Sequence, residues 1–162
     1  MGSSVAIMNK SFVVTSLMLG IFSCNTPPPQ AQNINLDNKI CEDAIASVEG
    51  QLKADHQLTI EISETINHSY PDGPEGRPNQ YRLGIRGNAA NSVMESDVLL
   101  NSLATQIINN CNSISLVSFG VYQTDYILDY GLISKGKVEK FQCPEDFDGL
   151  PYKRDFQWGE SC

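Results

Sequence analysis

The chain has 162 residues, with 11 basic and 19 acidic side chains and a net charge of −8. This length is typical of one domain, and a hydrophobic content of 41% is enough to form a packed core. The acidic excess is unfavourable for binding nucleic acid or anionic lipid, because both require clustered Lys and Arg. No run of eighteen apolar residues occurs, so we expect no membrane-spanning helix in the mature protein.

The first 23 residues have the organisation of an export signal. Lys10 supplies a positive charge, and the apolar segment 11–23 that follows is too short for a stop-transfer helix. Met8 is the natural start of such a signal, which makes the residues before it an upstream extension. We therefore predict an exported protein with a signal peptide over residues 1–23.

The end of this segment resembles the cleavage site of bacterial prolipoproteins. Ile21-Phe22-Ser23-Cys24 has the aliphatic residue, the small residue and the Cys of the lipobox, although a Phe stands where a small residue is usual. The resemblance extends from Met8 to Cys24 and implies that Cys24 is lipidated and becomes the mature N-terminus. The alternative is cleavage by the general signal peptidase after Ala31, which would place Pro29 at the −3 position.

Residues 24–36 are predicted to form a flexible tether. This segment is polar, contains three consecutive Pro residues and shows no apolar period. A tether of this kind would hold a lipid-anchored domain away from the bilayer. The folded domain is then expected to comprise residues 37–162.

The first half of the domain is predicted to contain a helix and a β-hairpin. The helix begins at Asp37 or Asn38, and alternating strands follow at 58–63 and 81–86. In such a hairpin, Glu61 would lie near Arg82 or Arg86 on the solvated face. The two strands are joined by a long loop around residues 70–78, which we expect to be either mobile or functional.

The second half is predicted to contain one helix and three strands. Ser92-Val93-Met94-Glu95 has the pattern of a capping box, and apolar residues recur every four positions from Leu99 to Cys111. Strands follow at 114–122, 126–133 and 138–142. The predicted fold is therefore α+β, in the order α-β-β-α-β-β-β, with two helices on one face of a mostly antiparallel sheet.

This order also predicts how the cysteines pair. Without Cys24 there are four, which allow three connectivities and can form disulfides in an oxidising compartment. If consecutive elements alternate in direction, the start of the first helix and the end of the second lie at the same end of the domain. We therefore expect the bridges Cys41–Cys111 and Cys143–Cys162, the second of which would close the C-terminal tail.

The α-β-β-α-β portion resembles the BON domain of bacterial envelope proteins. The resemblance covers about half of the chain, which differs from that domain in its long hairpin loop, its two extra strands and its closed tail. It implies an envelope-associated binding or structural module and transfers no residue roles. The residues that carry it are Leu52, Asp55, Leu58, Ile60, Ile62, Tyr81, Leu83, Ile85, Gly87, Leu99, Leu103, Ile107 and Val117.

The sequence contains few residues that indicate catalysis. His56 and His68 are the only histidines and are expected to be exposed in loops, and we expect no metal or other cofactor. Glu145, Asp146 and Asp148 lie near several aromatic residues of the tail. Two such carboxylates among aromatic rings would suit a glycan-cleaving hydrolase, which is our alternative functional hypothesis.

The leading hypothesis is an exported, lipid-anchored protein with a binding or structural role in the cell envelope. It would face the periplasm or the cell exterior, with the membrane contacted through the lipid and an envelope protein as a possible partner. Tyr126 and Tyr130 share one face of a predicted strand. Together with Trp158 they form the candidate binding surface.

Overall fold

The computed structural model describes residues 30–134, 136–149 and 154–162. The predicted signal peptide, Cys24 and the first part of the tether lie outside these residues. In chain order the elements are α1 (Gln30–Asp55), β1 (Thr59–Asn67), β2 (Asn79–Arg86), α2 (Ala90–Met94), α3 (Asp97–Asn110), β3 (Ile114–Val121), β4 (Ile127–Ser134) and β5 (Lys137–Lys140).

The five strands form one mixed sheet in the order β1-β2-β3-β4-β5. β2 and β3 are parallel, whereas the other neighbouring pairs are antiparallel. The predicted fold, with two helices in the order α-β-β-α-β-β-β, is therefore wrong in detail: three helices are present, in the order α-β-β-α-α-β-β-β, and the sheet is mixed, although most of its pairs are antiparallel. The helical segment between β2 and β3 returns the chain to the end where β2 begins, and a strand entered in this way runs parallel to its predecessor.

The predicted second helix is in fact two helices, α2 and α3. Ser92 lies within α2 and Glu95 is its C-cap, so these residues do not form the predicted capping box. α3 begins at Asp97, whose carboxylate accepts hydrogen bonds from Tyr130 Oη and Lys140 Nζ, each at 2.9 Å. The break between α2 and α3 thus lies where Asp97 contacts β4 and β5. Local sequence patterns do not reveal this tertiary contact.

α1 begins at Gln30, seven residues before the predicted N-cap Asp37. Residues 30–36, which were assigned to the tether, therefore belong to this helix. The reason is that Pro is tolerated only in the first turn of a helix and the next Pro after Pro29 is Pro71, so nothing interrupts a helix from Gln30 onward. Among the described residues, no helix combines the length and apolar character needed to cross a membrane.

The core lies between the helices and one face of the sheet. The hairpin of β1 and β2 forms as predicted, and Arg86 Nη1 lies 3.4 Å from Glu61 Oε1 on the solvated side. The fully buried core side chains include Val48, Leu52, Leu83, Ile85, Met94, Leu100, Leu103, Ile107, Ile108, Val117 and Phe119. In α3 the buried stripe contains Leu100 in place of the predicted Leu99, which is half-buried.

The predicted disulfide pairs are the ones observed. Cys41 in α1 is bonded to Cys111 at the end of α3, with 4.5 Å between the Cα atoms, and Cys143 is bonded to Cys162, with 4.8 Å between them. Disulfides form and persist in oxidising compartments and are rare in the cytosol. The two bridges therefore indicate an exported domain.

Candidate functional site

The face of the sheet opposite the helices is only half covered. One half lies under two segments, the loop at residues 68–78 (the long loop) and residues 142–149 and 154–162 (the tail). The other half, at the end where β2 and β3 finish, is open to solvent. This open half is the candidate site, and it ends where the long loop and the tail begin to cover the sheet.

Aromatic side chains hold the long loop and the tail on the covered half. Trp158 packs edge-on against Tyr70 and Phe141, with ring centroids 5.5 and 5.1 Å apart, and its Nε1 donates to the Leu132 carbonyl at 2.9 Å. The Trp158 backbone N–H also donates to Asp72 in the long loop, at 3.0 Å. The long loop is thus fixed by the tail, which gives it a structural role and answers the question that the sequence left open.

A row of four residues in register crosses the open half. Ile62 pairs with Gly84, Gly84 with Gly120, and Gly120 with Ile127, so two glycines on β2 and β3 lie between isoleucines on β1 and β4. The Ile62 side chain lies over Gly84, where an added Cβ atom would come to 3.0 Å from it, tighter than most contacts of this kind. We call the depression over these residues the glycine groove. Its volume of about 100 Å³ suits one apolar side chain or a small ring.

A second row, toward the tail, is polar. Gln80 Nε2 donates to Ser118 Oγ at 2.6 Å, and Ser118 in turn donates to Asp129 Oδ1. The other carboxylate oxygen, Asp129 Oδ2, accepts from Ser161 Oγ in the tail at 2.6 Å. A continuous chain of hydrogen bonds therefore connects the edge of the glycine groove to the tail.

Cationic side chains lie on the β2 side of the groove. Arg82 Nη1 donates to Glu64 Oε1 at 3.1 Å, and the Arg86 guanidinium lies 4.5 Å from the centre of the Tyr122 ring. Such exposed ion pairs and cation–π contacts contribute about 1 kcal/mol or less each. These side chains can therefore exchange their present partners for groups of a ligand at little cost.

The three aromatic residues predicted as a binding surface do not come together. Tyr130 is buried on the helix face, where Oη donates to Asp97, and this burial together with the Asp97 carboxylate raises the pKa of the phenol. Trp158 packs over Gly131 on the opposite face, and Tyr126 is 41% exposed beside the start of β4. Alternation along β4 shows why: Tyr130 points to the helix face, so the opposite face at the next residue, Gly131, is the one that Trp158 covers.

The tail carboxylates lie on the surface of the described part of the chain. Glu145, Asp146 and Asp148 are all solvent-exposed, and none lines the glycine groove or the polar depression between the long loop and the tail. Arg154 Nη2 lies 3.7 Å from Asp146 Oδ1, which is a surface ion pair. Within the described ranges, no group of three or more His, Cys, Asp and Glu side chains could hold a metal ion.

Both histidines are half-buried, contrary to the expectation that they are exposed. The His68 ring lies 5.1 Å from that of Trp158, and its Nε2 is 3.2 Å from the Arg77 carbonyl oxygen. Gly73 makes room for it, since a Cβ atom there would overlap the imidazole. His68 thus belongs to the packing of the long loop against the tail.

Local sequence patterns do not predict the glycine groove. Its one local signal is a Gly inside each of two strand patterns, which indicates a close approach of another group to the backbone. No family model, curated protein or solved structure matches the chain. The resemblances to prolipoprotein leaders and to the BON domain therefore stay predictions.

Proposed function

We propose that this protein is an exported, lipid-anchored envelope protein whose domain binds a partner through the glycine groove. The observation that carries the binding role is the row Ile62-Gly84-Gly120-Ile127, an apolar depression on a sheet face that is elsewhere covered. The anchor rests on the sequence around Cys24 and on the two disulfides, which fit export. An envelope-associated module is also what the resemblance to the BON domain implies.

The placement of the groove suits an anchored protein. Cys41 in α1 is bonded to Cys111, just before β3, so the early part of α1 lies at the end of the sheet where β3 begins. Gly120 lies near the other end of β3, about 20 Å away at the usual rise per residue. A chain anchored at Cys24 would therefore direct the groove away from the membrane.

The composition of the groove favours binding over hydrolysis. The residues that line it are apolar, glycine, hydroxyl and amide residues with one arginine, and no carboxylate is among them. A glycan-cleaving site needs two carboxylates on either side of the scissile bond. The described lining of the groove holds no such pair of carboxylates and suits an apolar side chain of a partner protein.

A photocrosslinking experiment in intact cell envelopes tests this role. A photoreactive residue at position 127, where Ile127 is 48% exposed, should give a discrete crosslinked product. The matched control is position 98, where Val98 is 85% exposed at the start of α3, on the helix side of the domain. In a Gly120→Val background the product should fall severalfold, because the new side chain fills the groove. Equal products from positions 127 and 98, or no effect of the Gly120 substitution, would contradict the proposal.

A further inference from the structure

We propose that β1 is a site of strand addition for an extended, basic segment of a partner protein. β1 is an edge strand of nine residues, and seven of its side chains are exposed. It is rich in the β-branched residues Thr and Ile. α1 also contacts β1, and no described strand pairs with its outer side. Natural proteins normally blunt or cover long edge strands, because the unpaired backbone groups pair readily with another chain.

The orientation of the backbone shows which groups are free to pair. The His68 N–H donates to the Pro78 carbonyl at 3.0 Å, which is directed toward β2. Because backbone groups alternate in direction along a strand, those of Ser63, Thr65 and Asn67 point away from β2. Apart from the pairing of β1 with β2, no backbone hydrogen bond among the described residues reaches these groups. They therefore present three N–H and three C=O groups to an incoming strand.

The opposite edge strand of the sheet, β5, is protected from pairing with another chain. β5 has four residues and carries Lys137 and Lys140, the residue type that most often blunts edge strands. Immediately after it, Gln142 forms a parallel bridge with Glu160 in the tail. Of the two edges, β1 alone is long and uncovered within the described part of the chain.

The charge of β1 indicates the kind of partner. The strand contains Glu61 and Glu64 and no cation, and the whole chain has a net charge of −8. The two glutamates contact Arg86 and Arg82 on β2 through exposed ion pairs, which contribute little and lie on the inner side of the strand. A strand added on the outer side would be the neighbour of β1, which carries the carboxylates, and would lie one strand further from the arginines of β2. Lys or Arg side chains are thus favoured there, and a second copy of this acidic chain is disfavoured.

This inference goes beyond the proposed function and concerns the outer backbone edge of β1, whereas the glycine groove lies on the face of the sheet, where Ile62 is the one residue of β1 that lines it. The substitutions that test it leave Gly84, Gly120 and Ile127 in place, so the failure of either proposal leaves the other intact.

Backbone amide exchange with a synthetic peptide tests the inference. The probe is an acetylated and amidated peptide of the same length as β1 that alternates Lys and Val. On binding, the amide protons of Ser63, Thr65 and Asn67 should become protected from exchange with solvent. The matched probes are the same peptide with Glu in place of Lys, and the Lys peptide with its backbone amides N-methylated. Both should give at least about tenfold weaker binding.

Substitution of Thr65 provides a second test. Thr65→Pro removes an outward N–H, which an edge strand tolerates, and should weaken peptide binding at least about tenfold. Thr65→Val keeps the N–H and should bind like the parent. Equal binding of the N-methylated peptide would show a merely electrostatic association and overturn the inference. Absence of binding would also overturn the inference. If the same amides were protected without peptide because the protein self-associates, the partner of β1 would be a second copy of this chain and the inference would again be overturned.

Discussion

At the scale of single residues, glycines shape the second face of the sheet. Gly84 and Gly120 form the floor of the groove, whereas Gly131 lies beneath the tail against Phe141 and Trp158. None of these three has a positive φ. At Gly131 and Gly84 a large side chain lies close to the backbone, since an added Cβ atom would overlap Phe141 at the first and come to 3.0 Å from Ile62 at the second. At Gly120 it would lie in ordinary contact, 3.4 Å from Ile127.

Gly131→Ala should destabilise the domain by about 1–3 kcal/mol, because the added methyl group would overlap the Phe141 ring and crowd Trp158. Gly50→Ala is the matched control, since Gly50 lies within α1 with no atom within 4 Å of the added Cβ. That change should stabilise by about 0.5–1 kcal/mol through helix propensity. Chemical denaturation of both variants measures the difference, and a neutral Gly131→Ala would show that the tail does not pack as described.

The tail should loosen in acid because of Glu160. Hydrogen bonds from Arg154, at 2.6 and 2.7 Å, and from the Gln157 backbone lower the pKa of Glu160 to about 2. The ordinary pKa of Glu is about 4.3, so the stabilisation is complete above that pH and is lost as the pH falls toward about 2. Trp158 is the only tryptophan, so its fluorescence should report a transition in this window.

Glu160→Gln should abolish this transition. Asp155→Asn, which removes another exposed carboxylate of the tail and leaves the contact between Arg154 and Glu160, should retain it. A transition that persists unchanged in Glu160→Gln would assign the acid sensitivity to another group.

At the scale of elements, local sequence patterns predict how neighbouring elements are arranged, but they do not predict which distant segments pair. The hairpin of β1 and β2 and both disulfides follow from alternation and from the direction of consecutive elements. Contacts between distant segments determine the parallel pairing of β2 with β3 and the break between α2 and α3 before Asp97. The capping-box pattern at Ser92 is local, and it therefore predicts a helix start where the structure has the interior of α2. The groove was missed for the same reason, since its four residues come from four strands.

The two disulfides should contribute unequally to stability. Cys41–Cys111 closes a separation of 70 residues and Cys143–Cys162 one of 19, so chain entropy gives about 4 and about 3 kcal/mol respectively. Replacing Cys143 and Cys162 by Ser should leave the core folded, because that bridge lies outside the helices and the sheet. Replacing Cys41 and Cys111 should lower the free energy of unfolding more, as measured by urea denaturation. The reverse order would show that the tail bridge, not the link between α1 and α3, dominates.

At the scale of the whole molecule, the domain has two distinct ends. The early part of α1 and the bridge Cys41–Cys111 mark one end, and the glycine groove marks the other. An anchor at Cys24 and a binding surface far from it would form a coherent arrangement for an envelope protein. This arrangement therefore requires first that the mature chain begins at a lipidated Cys24.

The most direct test is the intact mass of the protein extracted from its native membrane fraction, alkylated with and without prior reduction. The account predicts a chain that begins at Cys24 and carries acyl groups, with four thiols that react only after reduction. A chain without lipid that begins near Gln32 would contradict the anchor and would indicate a diffusible exported protein.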